Sequence, residues 1–119
     1  MIFHVVALAD WQAVPDGHYA PSSLSKEGFV HCSPDEETAL AVATDHYSDA
    51  PGPLVALLID EQKLDAQVRW EQARPDSAGT APRTLYPHIF GPVNRDAVVG
   101  VMQIERDGMG RAVELTASE

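Results

Sequence analysis

Short runs of apolar residues, separated by turn-forming residues, predict a mixture of strands and helices. Residues 1–8 are apolar and β-branched apart from His4, so we expect a strand that places His4 on the same face as Ile2 and Val6. Residues 54–59 are apolar without alternation, which is typical of a central strand buried on both faces. Further strands are expected at 29–32, 68–71, 98–104 with a bulge at Gly100, and 112–115 after a glycine turn.

The sequence Ser33-Pro34-Asp35-Glu36 predicts the start of a helix that runs over 34–47. A serine N-cap, a proline at the first helical position and a glutamate three residues after the cap are the usual signals of a helix start. The Pro-Gly-Pro sequence at 51–53 ends this helix. Shorter helical turns are expected at 10–12, after Asp60, and after Asn94, whereas 18–24 is expected to be irregular.

Strict alternation over 68–71 predicts that Val68 and Trp70 face the core. Arg69 and Glu71 then face outwards or into a cleft. Residues 73–82 are rich in Pro, Asp, Ser, Gly and Thr, so they are expected to form a surface loop that could act as a lid.

The length of 119 residues and the 45% apolar content fit one α+β domain over 1–119, in which 108–119 forms a turn and a terminal strand or tail. The net charge of −10 disfavours nucleic acid and anionic membranes as partners. Cys32 is the single cysteine and cannot form an internal disulfide, and no signal-peptide pattern or long apolar segment occurs. We therefore expect a cytoplasmic protein that binds a small molecule.

Three histidines, His4, His31 and His88, lie in apolar or rigid contexts, whereas His18 and His46 lie in polar ones. An imidazole among core residues needs hydrogen-bond partners, so each of the three is either a structural histidine or part of a polar site. His31 stands out because it ends a strand just before the capped helix. The acidic residues at that helix start disfavour a phosphate loop.

Glu71 is the carboxylate that stands out, although a glutamate at such a position is most often a solvated surface residue. Tyr19, Ser22 and Ser23 could line the entrance of the same cleft as Glu71. Trp11 is expected in the core. Cys32 is expected to be a small buried residue, since neighbours on a strand point to opposite faces and it cannot pair with His31. No two histidines have the spacing of a local zinc motif, so no metal is predicted.

Several blocks of the sequence resemble the bacterial domain-of-unknown-function 952 family over residues 1–102. The most specific are Gly-Phe-Val-His-Cys-Ser at 28–33 and Pro-His-Ile-Phe-Gly-Pro at 87–92. Weaker correspondences are Ile-Phe-His-Val at 2–5, Leu-Leu-Ile-Asp at 57–60 and Trp-Glu at 70–71. This resemblance indicates a fold more than an activity.

The order of these blocks is also similar to that of RNA 2′-phosphotransferases and the wider ADP-ribosyltransferase-like fold. That resemblance implies a small split, mixed sheet that holds NAD between its halves. It further implies that His4 and His31 hold the ribose or amide of the cofactor, with Ser33, Tyr19 and His88 also in the binding site. Glu71 and His31 would be the catalytic residues, and Glu71 would stabilise the positive charge that forms on the sugar as nicotinamide leaves. No arginine precedes Arg69, so transfer of an RNA phosphate is not expected.

Three functions are therefore compared. The first is binding of NAD or a related nucleotide, with transfer or cleavage of ADP-ribose. The second is a noncatalytic small-ligand or regulatory module in which the histidines only shape a pocket. The third is a histidine-dependent metal hydrolase.

Overall fold

Two antiparallel sheets and three helices form the described part of the chain, which in this computed structural model comprises residues 1–13, 17–72 and 85–117. The elements in chain order are β1 (Ile2–Ala7), α1 (Leu8–Gln12), α2 (Ser22–Glu27), β2 (Val30–His31), α3 (Glu36–Tyr47), β3 (Leu54–Ile59), β4 (Gln67–Gln72), β5 (Leu85–Phe90), β6 (Val98–Arg106) and β7 (Ala112–Ala117), with 3₁₀ turns at Glu61–Lys63 and Arg95–Ala97. The α+β class is confirmed. All strand pairs among the described residues are antiparallel, so the expectation of a mixed sheet is wrong for them.

The first sheet has the strand order β1-β3-β6-β7, and β3 lies inside it, as its apolar sequence predicts. Alternate residues of β3 enter two different apolar clusters. Val55, Leu57 and Ile59 pack in one cluster with Ile2 and Val6, and Leu54 and Ala56 pack in the other against α3. The prediction that β3 is buried on both faces is therefore confirmed.

The bulge expected at Gly100 lies one residue away, in the pairing of β3 with β6. Leu58 is opposite Gly100 and Ile59 is opposite Val98, so Val99 is the extra residue on β6. The predicted glycine turn is also present, because Gly110 adopts a φ of 85° between β6 and β7.

The start of α3 differs from the prediction. The helix begins at Glu36, and Asp35 is its N-cap, with its carboxylate accepting a bond of 2.7 Å from the backbone N–H of Thr38. Ser33 is not the cap because its backbone pairs with Phe3 through two hydrogen bonds of 2.7 and 2.9 Å. Asp35, two residues further along, takes the N-cap position with the extended backbone that is usual there.

Helix α2 includes the last three residues of the segment expected to be irregular at 18–24, whereas 18–21 lie outside any helix or strand as expected. It follows Pro21, and Gly28 ends it in the left-handed region at φ 88°, with the Gly28 N–H bonded to the Leu24 carbonyl. Its serine-rich sequence has low intrinsic helix propensity, so the C-terminal glycine was the stronger signal.

The second sheet has the order β2-β5-β4, with β4 at its edge. Val68 packs against the core as predicted, but Trp70 is 42% exposed, so its predicted core position is wrong. Trp70 lies further along the edge strand, and its indole N–H donates to Glu61 at 3.3 Å. The loop predicted at 73–82 lies outside the described residues.

Asp60 caps the first 3₁₀ turn as predicted, by accepting from the backbone N–H of Gln62. Asn94 precedes the second turn, but its side chain bonds to Asp65 and Lys63 rather than capping it. Over the described ranges, no helix has the length and apolar character needed to cross a membrane.

Candidate functional site

One face of the second sheet carries most of the polar side chains that the sequence singles out. His31 on β2 is directly opposite His88 on β5, and His88 is in turn opposite Arg69 on β4. Residues two apart on a strand share a face, so Glu71 lies diagonally across from His88. Strand pairing alone thus assembles a row of polar groups.

His88 and Glu71 form a hydrogen-bonded pair. The Nδ1–H of His88 donates to Oε1 of Glu71 at 2.8 Å. The His88 side chain is only 9% exposed, whereas that of Glu71 is 43% exposed. In a neutral ring with the proton on Nδ1, the other nitrogen, Nε2, is an acceptor.

His31 has a carboxylate partner of its own, Glu27. The Nε2–H of His31 donates to Oε2 of Glu27 at 2.8 Å. Glu27 is the last residue of α2, and the turn at Gly28 reverses the chain so that the two side chains meet. Glu27 is not among the predicted site residues; detecting it required α2 and its glycine stop to be recognised first.

Phe29 joins the two histidines into an aromatic cluster. Its ring stacks on His88 with 4.3 Å between centroids and an interplanar angle of 29°, and lies 4.7 Å from the ring of His31. The two imidazoles are 5.5 Å apart and meet edge to face. The three rings thus form one contiguous aromatic contact on the cleft side of the second sheet.

His4 lies beneath this cluster and is buried. Its Nδ1–H donates to the backbone carbonyl of His31 at 2.6 Å, and the hydroxyl of Tyr19 donates to its Nε2 at 3.1 Å. Desolvation by burial lowers the pKa of His4 to about 4, against the opposing effect of the bond to His31. His4 is therefore neutral at pH 7, and both its nitrogens already have protein partners. This geometry gives it a supporting role beneath His31.

All the predicted site residues line one cleft, with a volume of about 1380 Å³. They are His4, Tyr19, His31, Ser33, Glu71 and His88. Ser22, Ser23, Glu27 and His46 also line it. The cleft is large enough for a nucleotide-sized ligand. The structure thus brings the predicted residues together, while their individual roles stay predictions.

Cys32 and Trp11 have the predicted core positions, at 5% and 8% exposure. Burial raises the pKa of the Cys32 thiol, and a protonated thiol is a poor nucleophile. Burial likewise raises the pKa of the Tyr19 hydroxyl, which keeps its proton for the bond to His4.

The described residues that line the cleft include three carboxylates, Asp10, Glu27 and Glu71, but neither lysine nor arginine. In the same described ranges, no group of three or more His, Cys, Asp or Glu side chains could hold a metal ion.

Comparison with known proteins supports the fold and gives a family. Two crystal structures are similar: protein CC0527 from Caulobacter crescentus, with 22% identity and a TM-score of 0.76, and a double mutant of that protein, with 21% identity and a TM-score of 0.75. Each alignment covers 94% of this chain and 92% of the other. No curated protein matches the chain.

The family comparison covers most of the chain. The model described as "Protein of unknown function (DUF952)" matches residues 5–101, which include the second half of β1, both histidine–carboxylate pairs and Tyr19, and which begin one residue after His4. The chain therefore belongs to the DUF952 family.

Proposed function

We propose that the cleft binds NAD or a related nucleotide and cleaves or transfers its ADP-ribosyl group. The observation that carries this proposal is the His88–Glu71 pair, which lies in the same cleft as His31. A carboxylate that is partly exposed in a cleft and bonded to an imidazole is a recurrent arrangement for proton transfer and for stabilising a positive centre.

The reaction would proceed by attack of a hydroxyl on the sugar carbon that carries nicotinamide. The bond from this carbon to the ring nitrogen breaks, and nicotinamide leaves with the electron pair. Glu71 stabilises the positive charge that develops on the sugar, as carboxylates do in glycoside cleavage. His88 accepts the proton of the attacking water or alcohol at Nε2 while Glu71 holds its Nδ1–H.

The charge of the cleft limits how phosphates would be held. Its described lining offers hydroxyls, backbone groups and histidines to a pyrophosphate rather than ammonium or guanidinium groups. The positively charged nicotinamide ring, in contrast, suits an environment with Glu27, Glu71 and Phe29. Both points favour action at the nicotinamide end over transfer of an RNA phosphate.

Calorimetric titration with NAD tests the binding step. We expect measurable heat with the wild type, affinity at least about tenfold weaker in His31→Ala, and unchanged affinity in His18→Ala. His18 is a suitable control because it is an exposed histidine paired with Asp65, at 3.7 Å, and does not line the cleft. Absence of heat with the wild-type protein at millimolar NAD contradicts the proposal.

A noncatalytic binding module is the second candidate, and a specific observation favours it. His4, His31 and His88 each already bond to a protein group, as histidines do when they only shape a pocket. Chromatographic detection of free nicotinamide separates the two functions. Turnover that is lost in Glu71→Gln supports the enzyme, whereas NAD binding without any release of nicotinamide supports the module.

A further inference from the structure

The cleft holds two histidine–carboxylate pairs that differ in one chemical detail. Glu27 bonds to Nε2 of His31, whereas Glu71 bonds to Nδ1 of His88. The two histidines are directly opposite each other on paired strands, and their ring centroids are 5.5 Å apart. The two carboxylates therefore bond to different ring nitrogens of two neighbouring histidines.

This difference sets the tautomer of each neutral ring. A carboxylate accepts hydrogen bonds, so the ring nitrogen beside it must carry the proton. His31 is thereby protonated at Nε2 and presents Nδ1 as an acceptor, while His88 is protonated at Nδ1 and presents Nε2. Within the described residues, neither of these two acceptor nitrogens has a hydrogen-bond partner.

We propose that Glu27 is a positioning residue that holds His31 in the tautomer opposite to that of His88, so that the two rings offer two acceptor nitrogens to one ligand. The ligand group that fits carries two hydrogen-bond donors a few ångströms apart. The assignment of Glu27 depends on the geometry alone; only the use of NAD as a ligand rests on the proposed function.

The surroundings of Glu27 support this role. Its carboxylate meets His31 across the turn at Gly28, which adopts a left-handed conformation after α2. The backbone of His31 is fixed independently, by pairing with His88 and by the bond from His4 to its carbonyl. Replacing Glu27 should therefore change the proton position on His31 without displacing the strand.

Nitrogen-15 NMR of the imidazoles tests the tautomers directly, in the full chain and without any ligand. At a pH where the rings are neutral, the wild type should show Nε2–H for His31 and Nδ1–H for His88. Glu27→Ala should convert His31 to a mixture of both tautomers, while Glu27→Gln, whose amide oxygen can still accept, should keep Nε2–H. Glu114→Ala removes an equal charge from an exposed position on β7 and should leave both rings unchanged.

Two results overturn the proposal: a wild-type His31 that is mainly Nδ1–H, or a Glu27→Ala spectrum identical to that of the wild type. Titration with NAD adds a second readout, in which Glu27→Ala should bind about tenfold more weakly and Glu27→Gln should recover most of that loss. If wild type fails to bind NAD, the proposed function falls, but the tautomer measurement still decides the role of Glu27.

Discussion

The two sheets of this protein use their faces differently. In the four-stranded sheet, β3 is buried on both sides, and its alternate residues enter two apolar clusters. In the three-stranded sheet, Val30 and Ile89 are buried on one face, whereas His31, His88 and Glu71 occupy the other. The strands of the larger sheet thus bury more apolar side chains than those of the smaller sheet, which carries polar groups on the face that lines the cleft.

The same substitution in each sheet should have the most unequal effect on stability. Leu57 on β3 is fully buried, so Leu57→Ala should lower the free energy of unfolding by about 3 kcal/mol through lost burial and a cavity. Leu85 on β5 is 48% exposed, and Leu85→Ala should cost less than about 1 kcal/mol. Urea denaturation measures both, and equal losses would contradict the distinction between the sheets.

His4 connects the two sheets and should make stability depend on pH. Its pKa is about 4 in the folded protein and about 6.5 when unfolded, so the unfolded chain binds more protons between these values. The stability that depends on neutral His4 is therefore fully present above about pH 6.5. As the pH falls towards 4, the free energy of unfolding should decrease by about 3 kcal/mol through this group.

Urea denaturation from pH 4 to 7 checks this contribution by comparing the wild type with His4→Phe. The variant should be less stable at pH 7, because the His31 carbonyl and the Tyr19 hydroxyl lose their partner, and its stability should fall less at low pH. Parallel pH profiles for the two proteins would contradict the role given to His4.

Tyr19→Phe should have a smaller effect, since it removes only the hydroxyl that donates to Nε2 of His4. Leaving that buried acceptor without a partner costs about 1–2 kcal/mol. Thermal unfolding compares it with Tyr47→Phe, a partly buried tyrosine outside this bond. A wild-type-like Tyr19→Phe would mean that the hydroxyl does not support His4.

Glu71→Gln should change stability least, by less than about 1 kcal/mol, because the Glu71 side chain is 43% exposed and the amide oxygen of glutamine can still accept from Nδ1–H of His88. Its effect should instead appear as loss of nicotinamide release. A large loss of stability by urea denaturation would indicate a structural role in place of the proposed one.

Sequence patterns predict the larger sheet better than the smaller one, for a physical reason. Burial on both faces of β3 leaves a continuous apolar run, and Gly100 marks the neighbouring bulge. Trp70, in contrast, alternates like a core residue but lies on an edge strand beyond the packed region. Alternation shows which face a residue occupies and does not show how far the core extends.

The candidate site, like the two sheets, could be predicted only where a local sequence pattern marks its residues. His31 and His88 could be singled out because each lies in an apolar or rigid segment, and Glu71 because it follows Trp70 on an alternating strand; strand pairing brings the three together. Glu27 could not, because its position depends on α2, which its serine-rich sequence conceals. The predicted Ser33 cap of α3 is wrong: Ser33 pairs with Phe3, about thirty residues away, and a pairing between such distant segments leaves no local sequence pattern.

Histidine-resolved NMR during titration with NAD tests most directly whether the cleft is one binding site. The proposal predicts that the ring signals of His31 and His88 shift together with a single dissociation constant, while His18, outside the cleft, stays unchanged. Signals of His31 and His88 that do not move at millimolar NAD, or that move no more than that of His18, would contradict it.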